Sequence, residues 1–271
     1  MAKRAKRPAL SRATRPDEGP SPRGLALGLL AMAPLFAAYE IGVARGGPDG
    51  PRNFAELLLG RLLLVFGSYE GAIRIAILAV LIGLAFAQAR LAGVEIGRTL
   101  LRVPLEGALF GLALGPLLVF ALAAIGIGPA DLGLPDHTPE VTAELDRALR
   151  AFGAGAWEEL VFRVGAYSAC FVLAGSVAHF FGANAAWMRG LSEAFGAIAS
   201  ALIFAACHLE QVMGLVGLRG EPFDAGVFLW RVLAGLFLAG LFRLRGPGVA
   251  AWCHGLFNLA LLLGAGPGVF R

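Results

Sequence analysis

The sequence predicts an all-α protein, a polytopic membrane helical bundle of about seven spans with one or two interfacial helices. Of the 271 residues, 58% are hydrophobic and only 15% are charged, whereas a soluble domain carries about 25% charged residues. The apolar residues lie in long blocks instead of amphipathic stripes, and these blocks approach the roughly 20 residues that cross a bilayer. We therefore expect an integral multi-pass membrane protein surrounded by a lipid bilayer.

The expected organisation has three parts. Residues 1–23 form a Pro- and Ser-containing tail with seven basic residues, which we expect to be disordered. Residues 24–127 are expected to form the N-terminal transmembrane helices, and residues 128–271 a catalytic transmembrane core, because the polar motifs described below lie there. Since so many basic residues crowd into the tail, the net charge of +4 does not indicate a nucleic-acid partner.

The expected spans are separated by polar or Gly- and Pro-rich segments. In chain order they cover residues 24–43, 71–89, 105–127, 152–181, 191–208, 227–242 and 249–263. The segment 54–66 contains Glu56 and Arg61 and is predicted to be an amphipathic helix at the membrane interface. The polar segment 128–150 is predicted to contain a second amphipathic helix, which begins near Thr138 and Pro139.

The charges of the loops predict an orientation. Basic residues in short loops favour the cytoplasm, and they occur in the tail, between residues 90 and 102, and at 243–245. This places the N-terminus in the cytoplasm, and the richness in Ala, Gly, Leu and Arg favours the inner membrane of a bacterial cell. If the segment 54–66 crossed the membrane, every later span would have the opposite orientation. The oligomeric state is left open by the sequence.

Three charged residues interrupt the apolar run 152–181, namely Glu158, Glu159 and Arg163. Each costs about 2.5–3.5 kcal/mol at the centre of a membrane helix, so they need a reason to be there. Glu159 and Arg163 are four residues apart and share a helix face, while Glu158 is offset by about 100°. This pattern predicts that Arg163 neutralises Glu159 and that Glu158 is available as a general base. The alternative is an ion-pair cluster that fixes helix packing.

Two more polar sets lie in separate spans. His208 follows Phe204 at the end of the fifth span, and His254 and Asn258 share a face of the seventh. Because hydrocarbon disfavours such side chains, we expect them to converge with Glu158 on one hydrated cavity. A water held between Glu158 and His208, with hydrogen bonds from His254 and Asn258 to a developing oxyanion, is an arrangement for hydrolysing a peptide bond.

The three motifs, in this order on separate membrane helices, resemble those of the CPBP family, which contains the type II CAAX prenyl proteases and the bacteriocin-processing and immunity (ABI) proteins. The matching residues are Glu158-Glu159-Leu160-Val161-Phe162-Arg163, Phe204 with His208, and His254 with Asn258. The resemblance implies an intramembrane endopeptidase that acts on a membrane-anchored protein or peptide. CAAX-like processing, bacteriocin-related processing and C-terminal sorting-signal cleavage are all compatible with it.

The resemblance also implies roles for individual residues. Glu158 would activate the water, His208 would assist it, and His254 with Asn258 would stabilise the oxyanion. Glu159, Arg163 and Phe204 would support these groups. One departure is Val164, which follows the motif arginine where many members of the family have glycine.

No cofactor is expected, because the HExxH arrangement of zinc proteases is absent. If the protein were metal-dependent, Glu158, His208 and His254 would form a zinc site with an open coordination position.

Two other functions stay open. A proton-coupled transporter would use the same buried groups, although the chain has no two-fold repeat. A non-catalytic immunity or scaffold protein would keep the fold without the chemistry.

Overall fold

A computed structural model describes residues 22–46, 52–128 and 144–263. Within these ranges the regular secondary structure is helical, which confirms the predicted all-α class. The helices are α1 (Pro22–Gly46), α2 (Phe54–Leu63), α3 (Glu70–Leu91), α4 (Ile96–Ala123), α5 (Glu144–Glu159), α6 (Ser168–Phe180), α7 (Ala185–Ala206), α8 (Glu210–Leu215), α9 (Ala225–Arg245) and α10 (Pro247–Leu262).

Six helical stretches in the described residues are long and apolar enough to cross a membrane. They are Gly24–Gly46, Phe54–Leu91, Ile96–Ala123, Ala148–Phe180, Ala185–Ala206 and Ala225–Arg245, and α10 is a shorter apolar helix. Large apolar side chains of α4, such as Leu109 and Phe120, are more than two-thirds exposed, as expected where a helix faces lipid and not water. The protein is therefore an integral multi-pass membrane protein.

The short helix α2 is packed into the protein to a degree that the interfacial prediction did not anticipate. Glu56, one of the charges on which that prediction rested, is only 1% exposed. It contacts Arg74 of α3 and Tyr39 of α1, so its charge is satisfied inside the bundle. A 3₁₀ turn, Leu64–Tyr69, joins α2 to α3, and Gly67 adopts a φ of 57° there, a left-handed conformation that favours glycine.

The fourth span is one continuous helical run. It begins in the described residues at Glu144, continues through the π-helix Leu160–Tyr167 and ends with α6 at Phe180. The amphipathic helix predicted within 128–150 and the predicted fourth span are thus joined. The predicted helix start at Thr138 and Pro139 lies outside the described residues, as does most of the tail for which disorder was predicted.

Helix α5 lies between α1 and α10, and α10 also packs on α4. Glycines make the crossing of α5 and α10 very close. A Cβ atom at Gly155 would come within 2.5 Å of the backbone nitrogen of Gly255, and one at Gly255 within 3.0 Å of the Phe152 carbonyl oxygen. Small residues allow such backbone contact between membrane helices. The crossing brings the end of α5, with its two glutamates, beside His254 of α10.

Candidate active site

The imidazole of His254 lies between the two adjacent carboxylates of α5. Its Nδ1 is 2.9 Å from Oε1 of Glu159, and its Nε2 is 3.5 Å from Oε2 of Glu158. All three side chains are buried. Because a carboxylate oxygen accepts hydrogen bonds, Nδ1 carries a proton and donates a hydrogen bond to Glu159. The Nε2 edge of the ring is therefore the one that faces Glu158.

Glu159 also contacts Arg163, as its spacing predicts. Arg163 Nε is 3.4 Å from Glu159 Oε2, and both side chains are fully buried. The guanidinium lies over the ring of Phe204, with 5.4 Å between its carbon and the ring centroid, which adds a cation–π contact. Within the described residues no side-chain nitrogen of Arg163 makes a hydrogen bond. Glu159 thus uses one oxygen for Arg163 and the other for His254.

His208 lies in the turn that follows α7, not in the helix itself. Its Nδ1 is 2.9 Å from the carbonyl oxygen of Phe204, so Nδ1 donates and Nε2 is left as an acceptor in the neutral ring. Burial is the main cause of a lowered pKa for His208, and the positive charge of Arg231 adds to it. The ring packs against Phe54 and Phe204. His208 is therefore neutral at neutral pH.

A cavity of about 190 Å³ opens between α5, α7, α9 and α10. The four residues predicted to be catalytic, Glu158, His208, His254 and Asn258, all line it. The rest of its lining is Phe204, Arg231, Val227, Trp230, Ala234, Leu238, Phe257 and Leu261. The predicted convergence on one cavity is thus present in the structure, while the roles of the four residues stay predictions.

The environment of Glu158 differs from the prediction in one respect. Its carboxylate is not free, because Asn53 donates a hydrogen bond from Nδ2 to Glu158 Oε1 at 2.7 Å. Asn53 had no catalytic signal in the sequence, since an asparagine before a helix is typical of an N-cap. Arg231 was also missed, although a charged residue inside the predicted span 227–242 was open to the same argument that singled out Arg163.

Arg231, which lines the cavity, forms an ion pair with the loop before α9. Its Nη2 is 2.6 Å from Oε2 of Glu221. The backbone of Glu221 in turn donates to the carbonyl oxygen of His208 and accepts from the backbone nitrogen of Glu210. The loop is therefore hydrogen-bonded to the turn that contains His208.

As for metal ligands, the described part of the chain has no group of three His, Cys, Asp or Glu side chains arranged to hold an ion.

Residues 145–260 match the family model described as "Type II CAAX prenyl endopeptidase Rce1-like". The matched segment contains all three motifs, and it confirms the resemblance to the CPBP family. The matched segment and the helical membrane fold both resemble those of a membrane-embedded protease of the CAAX type. In this segment, which is less than half of the chain, the protein is similar to the Rce1-like endopeptidases. Neither the curated proteins nor the solved structures include a match to this chain.

The close crossing of α5 and α10 allows a test of whether it positions the residues of the site. Gly155→Val is expected to lower activity by about 100-fold, the size of loss that a displacement of about 1 Å causes in a catalytic arrangement. The added side chain would meet Gly255 N at 2.5 Å and the Ala251 carbonyl oxygen at 2.8 Å, so the helices must move apart. Peptide hydrolysis and thermal unfolding of the purified protein measure the effect.

The matched control is Gly83→Val in α3, where an added Cβ has no neighbour within 4 Å. The same change of residue there has the same cost in helix propensity but separates no helices. Full activity of Gly155→Val, or an equal loss in both variants, would show that the crossing does not determine the geometry of the site.

Proposed function

We propose that this protein hydrolyses a peptide bond in a membrane-associated protein or peptide, with Glu158 as the general base that activates the attacking water. The observation that carries the proposal is the shared cavity, which Glu158, His208, His254 and Asn258 line together inside an apolar bundle. A carboxylate in a water-poor cavity is a stronger base than one in bulk water, because the ionised form is less well solvated.

In the proposed reaction a water lies between Glu158 and Nε2 of His208. Glu158 takes one proton from this water, and the resulting hydroxide forms a bond with the carbonyl carbon of the substrate. The carbonyl oxygen becomes an oxyanion, which accepts hydrogen bonds from Asn258 and His254. The C–N bond then breaks, and Glu158 returns its proton to the departing amine. General acid–base catalysis of this kind contributes about 10²–10⁴-fold to the rate.

The Glu159–Arg163 pair has a supporting role in this proposal. Arg163 balances the charge of Glu159, and Glu159 holds Nδ1 of His254 at 2.9 Å. This contact turns the Nε2 edge of the ring toward Glu158. Since carboxylates lie on both sides of the ring, they stabilise a positive charge on it. A protonated His254 has an N–H at Nε2 with which to meet the oxyanion.

We propose that no metal ion takes part. The expected result is that incubation with 1,10-phenanthroline and removal of the chelator leave the rate of peptide hydrolysis within about twofold of the untreated protein, since the proposed base is a carboxylate and not a metal-bound water. The alternative ligands would be Glu158, His208 and His254. A loss of activity that Zn²⁺ restores in the treated sample would contradict the metal-free mechanism.

The substrate is best sought by comparing the membrane proteins of cells that carry the wild-type protein with those of cells that carry Glu158→Gln. We expect one or a few membrane-associated proteins to accumulate in their uncleaved form in the variant. The cleaved bond, read from their terminal peptides, then supplies a peptide for assays with the purified protein. Normal processing of every candidate by Glu158→Gln would refute the proposed function.

A further inference from the structure

A second set of polar and charged residues, most of them buried, lies among α1, α2 and α3, outside the cavity. We name Tyr39, Glu40, Glu56 and Arg74 the N-terminal polar cluster. Arg74 Nη1 is 2.6 Å from Glu40 Oε1, and Nη2 is 3.1 Å from Glu56 Oε1. The Tyr39 hydroxyl donates to the second oxygen of Glu56. Arg74 and Glu56 are almost wholly buried. Removing their charges from water has a large desolvation cost, so the presence of the cluster needs an explanation.

Asn53 connects this cluster to Glu158. Its backbone N–H donates to the hydroxyl oxygen of Tyr39 at 2.7 Å. Its side-chain Oδ1 accepts from the backbone nitrogen of Ala55 at 2.8 Å, which makes Asn53 the N-cap of α2. Because Oδ1 is occupied in this way, the amide nitrogen is the end that faces Glu158, and it donates to Oε1 at 2.7 Å.

We propose that Asn53 is a positioning residue for Glu158, and that the N-terminal polar cluster exists to hold it in place; this inference rests on the proposed role of Glu158 as general base. The hydrogen bond fixes Oε1 and leaves Oε2 turned toward His254, 3.5 Å from its Nε2. A bond from an amide to a carboxylate is charge-assisted and directional. It holds the base in one rotamer before the substrate arrives.

The cluster also contacts the residue next to the base. The guanidinium of Arg74 lies over the indole of Trp157, with 5.3 Å between its carbon and the ring centroid. Trp157 is itself buried and precedes Glu158 directly. The cluster thus supports Glu158 in two ways, through the Asn53 side chain and through the packing of its helix. Asn53 and the four residues of the cluster all lie outside the matched segment 145–260.

Two variants separate a positioning role from a capping role. Serine and aspartate are N-caps as good as asparagine, so Asn53→Ser and Asn53→Asp keep α2 intact while they remove the donor to Glu158. We expect kcat to fall by about 10- to 100-fold, the usual effect of losing a hydrogen bond to a charged group, with KM within twofold of wild type. The loss should be larger for aspartate, because it sets a second carboxylate beside the first.

The pH profile gives a readout that a structural role would not change. Without the donor the ionised form of Glu158 is less stabilised, so the acidic limb of kcat against pH should move to higher pH in both variants. The other titratable or charged groups around Glu158 stay in place in these variants. They are Glu159, Arg163, His254, His208 and Arg231.

The matched controls are Asn184→Ser and Asn184→Asp. Asn184 is the exposed N-cap of α7, where its Oδ1 accepts from Trp187 N at 3.1 Å, remote from Glu158 in the chain and without a contact to it. Wild-type kcat and pH profile in these controls, with the changes above in the Asn53 variants, would support the proposal. Equal losses at both caps, or unchanged kinetics in the Asn53 variants while Glu158→Gln is inactive, would overturn it. An active Glu158→Gln would instead refute the proposed function.

Discussion

Replacing Glu158 by glutamine is expected to lower kcat/KM for peptide hydrolysis by about 10²–10⁴-fold, the usual contribution of general base catalysis. The amide has the shape of the carboxylate, and its oxygen can still accept from Asn53, but it cannot take a proton from water. The residue is only 5% exposed, so its neutral form avoids the cost of burying a charge. Thermal stability should therefore equal or exceed that of the wild type.

The matched control is Glu95→Gln. Glu95 is 73% exposed and pairs with Arg98 on the surface, with 3.3 Å between Nε and Oε2. This change removes the same charge without touching the cavity, and we expect wild-type activity. Hydrolysis assays and thermal unfolding of both purified variants provide the comparison. A Glu158→Gln variant that keeps a tenth or more of the wild-type rate would exclude Glu158 as the base.

The second large effect is expected from Arg163→Met. Removal of one partner of a buried ion pair costs about 3–5 kcal/mol of stability, because the other charge stays buried without compensation. Here Glu159 would keep its contact with His254 but lose the cation on its other oxygen. The double variant Glu159→Gln with Arg163→Met removes both charges and should regain much of that stability. Unfolding in detergent micelles, arranged as a double-mutant cycle, measures the coupling.

Activity separates this pair from a purely structural one. The double variant should stay impaired in hydrolysis although it is folded, since the neutral amide that replaces the Glu159 carboxylate no longer stabilises positive charge on His254. Arg98→Met, in the exposed pair with Glu95, is the control and should change stability by no more than about 1 kcal/mol. Should Arg163→Met unfold no more easily than this control, the buried pair would not be a stabilising element.

The sequence was sufficient to predict the helical membrane fold and the shared cavity of Glu158, His208, His254 and Asn258, although not the whole lining of that cavity. Both predictions rest on the cost of polar groups in hydrocarbon. A continuous apolar block of this length is expected to be a helix, because a helix pairs all its backbone groups within its own segment. An isolated polar side chain in hydrocarbon has a high free-energy cost. We could therefore predict that Glu158, His208 and His254 converge, even though they lie about 50 residues apart in the chain.

The N-terminal polar cluster was not predicted, although the same cost applies to Arg74. The apolar run that contains Arg74 was interpreted as a plain span, and its partner Glu56 was assigned to an interfacial helix. Pairing them requires knowing which helices are neighbours, which the spacing of a single chain does not reveal. The contact of Asn53 with Glu158 could not be predicted for a second reason. Its cap to Ala55 is local, but its bond to Glu158 joins residues 105 positions apart.

The π-helix that follows Glu159 was also not predicted. Apolar residues surround Arg163 on both sides, so the hydrophobic pattern does not distinguish an α-helical turn from a wider one. π-helical widening inside an α-helix is frequent at functional sites. In this protein the π-helix begins at Leu160, directly after the two glutamates, and the Ser168 hydroxyl contacts the Arg163 carbonyl oxygen at 3.4 Å within the next turn.

The placement of His254 between two glutamates, with Arg163 behind, has a consequence for charge balance in the bilayer. With His254 protonated, the four side chains carry two negative and two positive charges, so the surrounding hydrocarbon meets an electroneutral unit. When Glu158 takes a proton from water, the unit gains one positive charge at the moment the substrate gains the negative charge of the oxyanion. The charge is redistributed over a few ångströms, while the sum inside the membrane stays zero throughout the proposed attack.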